Sequence, residues 1–194
     1  MNAIRVEQAT DVPWSDVEAA LTHGGNGSTC WCQWAVNPAY PTMSRDEKRD
    51  ALRAELAAAR AASPLVAYVD GAVAGWCRSA PRTDQPRLAH NSVVMRGTAE
   101  PMDDDTVWAV TCFVVRREYR GRGLAHTLLE HAVRLARDNG ARMIEGYPID
   151  LAERPGRPPN TLYIGTVTLF ASAGFEVTAR LTHGRAVMTL RLAE

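Results

Sequence analysis

Between residues 106 and 135 the chain passes from an apolar run, TVWAVTCFVV, through a polar patch, RREYRGRG, into a segment whose apolar positions recur with helical spacing. The run is apolar at nearly every position. That suits a strand covered on both faces, and so a central one. Leu124, Leu128, Ala132 and Leu135 then make one stripe of a helix that Gly140 ends. A further strand pattern, ARMIEGYPID, follows at once. Strand, helix and strand over residues 106–149 predict a right-handed parallel crossover.

The flanks follow the same logic. AIRVEQ predicts a short first strand, and TDVPWSDVEAALTH a helix with Thr10 or Asp11 near its cap and Pro13 in its first turn. HGGNGST carries three glycines and predicts a loop. CWCQWAVNPAY has no clear period. SRDEKRDALRAELAAAR predicts a helix opening at Ser44 with acids early. Asp70-Gly71 splits two apolar runs and predicts a hairpin. PRTDQPRLAHNSV reads as a polar connection and LAERPGRPPN as a Pro-rich loop. TLYIGTVTLFASAG predicts a short helix, and FEVTAR with RAVMTLRL an antiparallel pair. The class is α/β, a mixed sheet with one parallel unit, and residues 1–194 read as a single domain without repeats or linker.

Composition narrows the function. A chain of 194 residues, 46% hydrophobic, supports one well-buried core. The formal net charge is zero, which offers no attraction to a nucleic acid. No run approaches the roughly 18 apolar residues of a membrane span. MNAIRVEQATDVPW lacks the basic and apolar regions of a secretory signal, so the expectation is a cytoplasmic protein. In that compartment Cys30, Cys32, Cys77 and Cys112 predict no disulfide framework, and Cys77 and Cys112 read as small core residues. Lys48 is the single lysine among 22 basic residues, so a lone arginine carries little information.

Gly121 and Gly123 stand where the central helix begins, between Arg120 and Arg122. A helix N-terminus has unpaired N–H groups and partial positive charge, and glycine lets an anion approach closely. This predicts a phosphate cradle. A P-loop would need a lysine that is absent. A dinucleotide loop would need a third glycine where His126 stands. The remaining pattern is R-x-x-G-x-A, formed by Arg120, Gly123 and Ala125 after a strand ending at Val115.

That pattern, from Phe113 through Leu129, resembles the acetyl-CoA pyrophosphate loop of the GNAT superfamily of N-acetyltransferases. AYVDGAVAGWC and LFASAGFEV are similar to other parts of that fold, so the resemblance covers most of residues 64–190. CWCQW, GWCRSAPR, CFVV and EGYPID together resemble a bacterial subgroup of undefined substrate. The resemblance implies acetyl-CoA as co-substrate, bound by Arg120, Gly121, Arg122, Gly123, Leu124 and Ala125. Pantetheine would bond to the main chain of Phe113, Val114 and Val115, in a strand with a bulge. A backbone N–H there would polarise the thioester carbonyl. The acceptor would be a primary amine of a small molecule, attacking directly.

Direct attack needs a base. Some family members carry a glutamate at the position of Ala109, so Glu145 and Asp150 become the candidates. Many relatives use a tyrosine as acid where this chain has Phe170, a position that lies against the cofactor. Tyr163, seven residues earlier, could take that role or serve as a packing residue. CWCQW reads either as core or as the acceptor pocket, with Trp31 and Trp34 as its wall beside Tyr40 and Gln33 as a polar contact. Cys30 and Cys32 with His23 fall short of a closed zinc site, so no metal is expected. A nucleophilic cysteine would need a depressed pKa, which no sequence displays. A binding module holding acyl-CoA without catalysis is the alternative reading. Either a monomer or a homodimer fits.

Overall fold

Seven strands form one sheet in the order β1-β2-β3-β4-β5-β7-β6. They are β1 Ile4–Gln8, β2 Leu65–Val69, β3 Ala72–Pro81, β4 Val107–Val115, β5 Met143–Gly146, β6 Glu176–Leu181 and β7 Arg185–Arg191. This computed structural model describes residues 3–22, 27–58, 64–153, 155–156 and 162–192; His23 and part of the Pro-rich loop lie outside them. The helices are α1 Trp14–Thr22, α2 Gly27–Cys30, α3 Arg45–Ala57, α4 Ser92–Gly97, α5 Leu124–Asp138 and α6 Val167–Ser172.

The crossover is as the pattern predicts. β4 and β5 pair in parallel with α5 between them in sequence, and every other pair is antiparallel. Leu124, Leu128, Leu129 and Ala132 of α5 bury against Trp108, Val110 and Phe113. The opposite face packs α1 and α3 over Val66, Tyr68, Trp76, Cys112 and Val114. Ser44 caps α3 reciprocally with Glu47, as its sequence predicts.

One element in the polar connection was not foreseen. Asn91 accepts hydrogen bonds from the Val93 and Val94 amides and starts α4. The strand read from ARMIEGYPID also proves short, ending at Gly146.

Two irregularities position everything that follows. The parallel ladder stops at Val110 opposite Gly146, although β4 runs on to Val115. One residue later, on the other edge, the register slips: Arg78 pairs with Cys112 and Ser79 with Val110. Thr111 is therefore an extra residue, a β-bulge. The bulge changes the strand's phase. Val110 and Phe113 face α5, while Cys112 and Val114 face α1 and α3.

A bulge leaves backbone groups without ladder partners, and those must be met elsewhere. Gln85 meets them. Its amide nitrogen donates to the Ala109 carbonyl at 3.0 Å and the Ala80 carbonyl at 3.2 Å, and its oxygen accepts from the Thr111 hydroxyl at 2.6 Å. Gln85 is fully buried. Gln85→Met keeps the shape and removes these bonds, so it should lower stability by about 1–3 kcal/mol in urea denaturation.

Candidate functional site

Beyond Val110 the separation of β4 from β5 opens a cleft of about 460 Å³. Its lining brings together Arg120 of the loop before α5, Ala125 of its first turn, and Cys30, Cys32, Trp34 and Tyr40. Thr111 through Val115 form its floor, and Leu162, Tyr163 and Leu169 one wall. None of its described lining residues is Asp, Glu or His.

The loop before α5 has the conformation its glycines allow. Gly121 has φ 73° and Gly123 has φ 78°, the left-handed region that a side chain resists. A Cβ at either would meet no atom within 4 Å, so the space above both is open. The first-turn amides of Leu124 and Ala125 have no acceptor within the helix. Leu124 itself points into the core, 2% exposed. Arg120 is tied to the loop through its Nε, which donates to the Val115 carbonyl at 3.0 Å.

Phe113, Val114 and Val115 line the cleft. The Phe113 N–H, on the edge freed by the splay, donates to the Tyr163 carbonyl at 2.5 Å. Tyr163 is also in the cleft but not on a helix. Gly165, with φ 81°, and Thr166 separate it from α6. The two-turn spacing from Phe170 thus has no helix to carry it. Partial burial raises the Tyr163 hydroxyl above its usual pKa.

Phe170 does not reach the cleft. It is fully buried, edge-on to Phe113 at 6.1 Å and to Phe175 at 4.9 Å. Gly146 and Gly165 admit its ring, because a Cβ on either would collide with it. Its phenyl packs the core beneath the cleft.

Neither carboxylate candidate lines the cleft. Glu145 is fully buried and accepts from Thr98 Oγ1 at 2.7 Å, Tyr147 OH at 2.9 Å and Arg82 Nη1 at 3.1 Å. Arg82 in turn donates to Thr98, Glu100 and Pro101. Asp150 accepts from Arg180 and from the Ala152 amide, and the Arg180 hydrogen bond holds its carboxyl below the usual range. Both acids are engaged in joining segments of the fold.

The CWCQW segment divides. Trp34 and Tyr40 line the cleft, with the Arg87 guanidinium 5.5 Å and 5.1 Å from their rings. Trp31 is 2% exposed and stacks on Trp14 at 6.2 Å. Gln33 is also buried and donates to Glu55 at 2.9 Å. Trp31 and Gln33 therefore support the wall from behind. The sulfurs of Cys30, Cys32 and Cys112 were not assigned to the site by sequence, and all three residues line it. Among the described residues no three His, Cys, Asp or Glu side chains form a metal-binding group.

Comparison with known proteins decides the family. The acetyltransferase (GNAT) family matches residues 29–148, more than half the chain. The chain belongs to the GNAT family. It is an acetyltransferase of that family, and its co-substrate is acetyl-CoA. Similar solved structures include YncA of Salmonella typhimurium with its cofactor acetyl-CoA, at 18% identity and TM-score 0.56, covering 100% of this chain and 96% of that one. A GCN5-related N-acetyltransferase from Kribbella flavida gives 20% identity, TM-score 0.57 and 98% coverage of both chains. An N-acetyltransferase from Staphylococcus aureus Mu50 gives 13% identity and TM-score 0.57, covering 97% and 98%. No curated protein matches the sequence. No described helix is long and apolar enough to cross a membrane.

The buried pair gives this GNAT chain a testable weakness away from its cleft. Arg82→Met strands the Glu145 charge in the interior. It should cost about 3–5 kcal/mol of stability in chemical denaturation.

Proposed function

We propose that this chain transfers an acetyl group from acetyl-CoA to the primary amine of a small molecule, in the cytoplasm. The observation that carries this reading is the continuity of the cleft. One opening joins the amides at the start of α5 to the freed edge of β4 and then to the Trp34 and Tyr40 wall. Residues 120–125 would hold the pyrophosphate, with the helix dipole and Arg120 supplying positive charge. Phe113, Val114 and Val115 would hold pantetheine through the main chain. The acceptor would enter at the aromatic end.

Size and polarity support a small, weakly charged acceptor. The cleft offers about 460 Å³, and its described lining carries no carboxylate to attract a polycation. The four free thiols fit a reducing compartment. Pantetheine bonding at Phe113 requires the Tyr163 carbonyl to give up that N–H. Direct attack by the amine would also need a base, and Glu145 and Asp150 are both committed elsewhere.

Calorimetric titration should show acetyl-CoA binding and no response to NAD. Gly123→Trp should abolish the acetyl-CoA signal. The space above Gly123 is open but its φ is left-handed, so the variant should lose only about 1–2 kcal/mol of stability and keep a cooperative thermal transition. An amine panel followed by thiol release should then find acceptors. Binding without thiol release on any amine would favour a module that only holds acyl-CoA. Full binding by Gly123→Trp would overturn the loop assignment.

A further inference from the structure

The cleft contains five residues with an ionisable S–H or O–H group: Cys30, Cys32, Cys112, Tyr40 and Tyr163. Their surroundings differ. Cys32 Sγ accepts two N–H bonds, from Trp76 Nε1 at 3.1 Å and from Arg78 Nε at 3.2 Å. Both donors are buried on β3, two residues apart and so on one face. Cys112 stands opposite Arg78 in the β3–β4 register and presents its thiol to the same sulfur. Without the bulge at Thr111, Cys112 would face α5 instead.

The rest of the assembly fixes the guanidinium. Arg78 Nη1 and Nη2 bind Glu55 of α3 at 2.7 Å and 3.0 Å, and Gln33 steadies the same carboxylate. This leaves Nε aimed at Cys32. The sulfur is delivered by a left-handed turn, with φ 46° at Trp31 and 55° at Cys32. Side chains resist that conformation, at a cost of about 1–2 kcal/mol per residue. The Trp31–Trp14 stack helps hold it.

We propose that Cys32 is the catalytic nucleophile of this site and takes the acetyl group from acetyl-CoA before the amine does. This rests on the reading that the cleft binds acetyl-CoA. The Cys32 sulfur anion attacks the acetyl carbonyl carbon. A carbon–sulfur bond forms to Cys32 and the one to CoA breaks. The negative charge passes to the CoA sulfur, which is protonated from water. The neutral amine nitrogen then attacks the same carbon. The carbon–nitrogen bond forms, the bond to Cys32 breaks, and the amine's proton leaves to solvent. The Cys32 anion is restored. One thioester replaces another in the first half, so no oxidant or energy source is needed.

The electrostatics agree with the geometry. Burial alone would push the Cys32 thiol up. The Cys112 hydrogen bond, the Arg78 charge and the Trp76 and Arg78 donors outweigh burial and bring it down to about 6. The other four move the opposite way. Burial raises Cys30 to about 11 and also raises Tyr40 and Tyr163, while the Cys32 hydrogen bond and burial raise Cys112. Cys32 is therefore the cleft group whose surroundings favour the thiolate. A thiol of lowered pKa also leaves more readily, which favours the second transfer.

The test needs no acceptor. The protein is mixed with acetyl-CoA alone, quenched in acid and weighed intact, while a parallel calorimetric titration records acetyl-CoA binding. The expected result is a gain of one acetyl group that maps to Cys32 and is removed by neutral hydroxylamine. Cys30→Ala should keep the adduct. Cys32→Ala should lose it and still bind acetyl-CoA. Binding by the wild type with no acetyl on Cys32, or with the group on Cys30 or Cys112, would overturn the proposal and leave the acetyl-CoA reading intact. Absence of binding would overturn that reading itself.

Discussion

One inserted residue organises the molecule. Thr111 breaks the register between β3 and β4, and the parallel ladder to β5 ends beside it. A strand that kept its phase would place Cys112 and Val114 under α5 and would leave no sulfur facing Cys32. The cleft and its chemistry both depend on this bulge. Gln85 holds it by meeting the Ala109 and Ala80 carbonyls and the Thr111 hydroxyl. A buried amide with every partner supplied contributes specificity more than energy, since it is costly only when a partner is lost.

The distribution of charge follows from burial. Glu145 and Asp150 stand near the expected strand, yet each is bound to an arginine of another segment. A buried carboxylate must be paired, and the pairing commits it to the structure. Apart from Arg120, the described lining of the cleft is thus apolar, sulfur and hydroxyl groups. Arg78 stands buried behind it. It divides its guanidinium between Glu55 and Cys32 and so brings an ion into a site otherwise without carboxylates.

Much of the fold was legible because periodicity is local. The hairpin at Asp70-Gly71, the cap at Ser44 and the stripe of α5 each depend on a few neighbouring residues. The glycine loop was legible for the same reason. The bulge was not. TVWAVTCFVV is apolar almost throughout, so a slip of one position moves one hydrophobe for another and leaves no polar trace. Arg78 looked uninformative in an arginine-rich chain, and only the register with Cys112 gives it meaning. Glu145 and Phe170 were placed on the right elements but at the wrong depth. Alternation along a strand gives the side a residue takes, while its distance from solvent depends on what α4 and α6 bring over it. The Cys32 site draws on a turn, two strands and a helix, which no short window contains.

The most direct measurement is a crystal structure of the protein with acetyl-CoA. The account predicts pyrophosphate on the amides of residues 121–125, Tyr163 withdrawn from the Phe113 N–H, and the acetyl carbon facing Cys32 Sγ on the bulged side of β4. Pantetheine lying outside the cleft, or an acetyl group on the α5 side of β4, would contradict it.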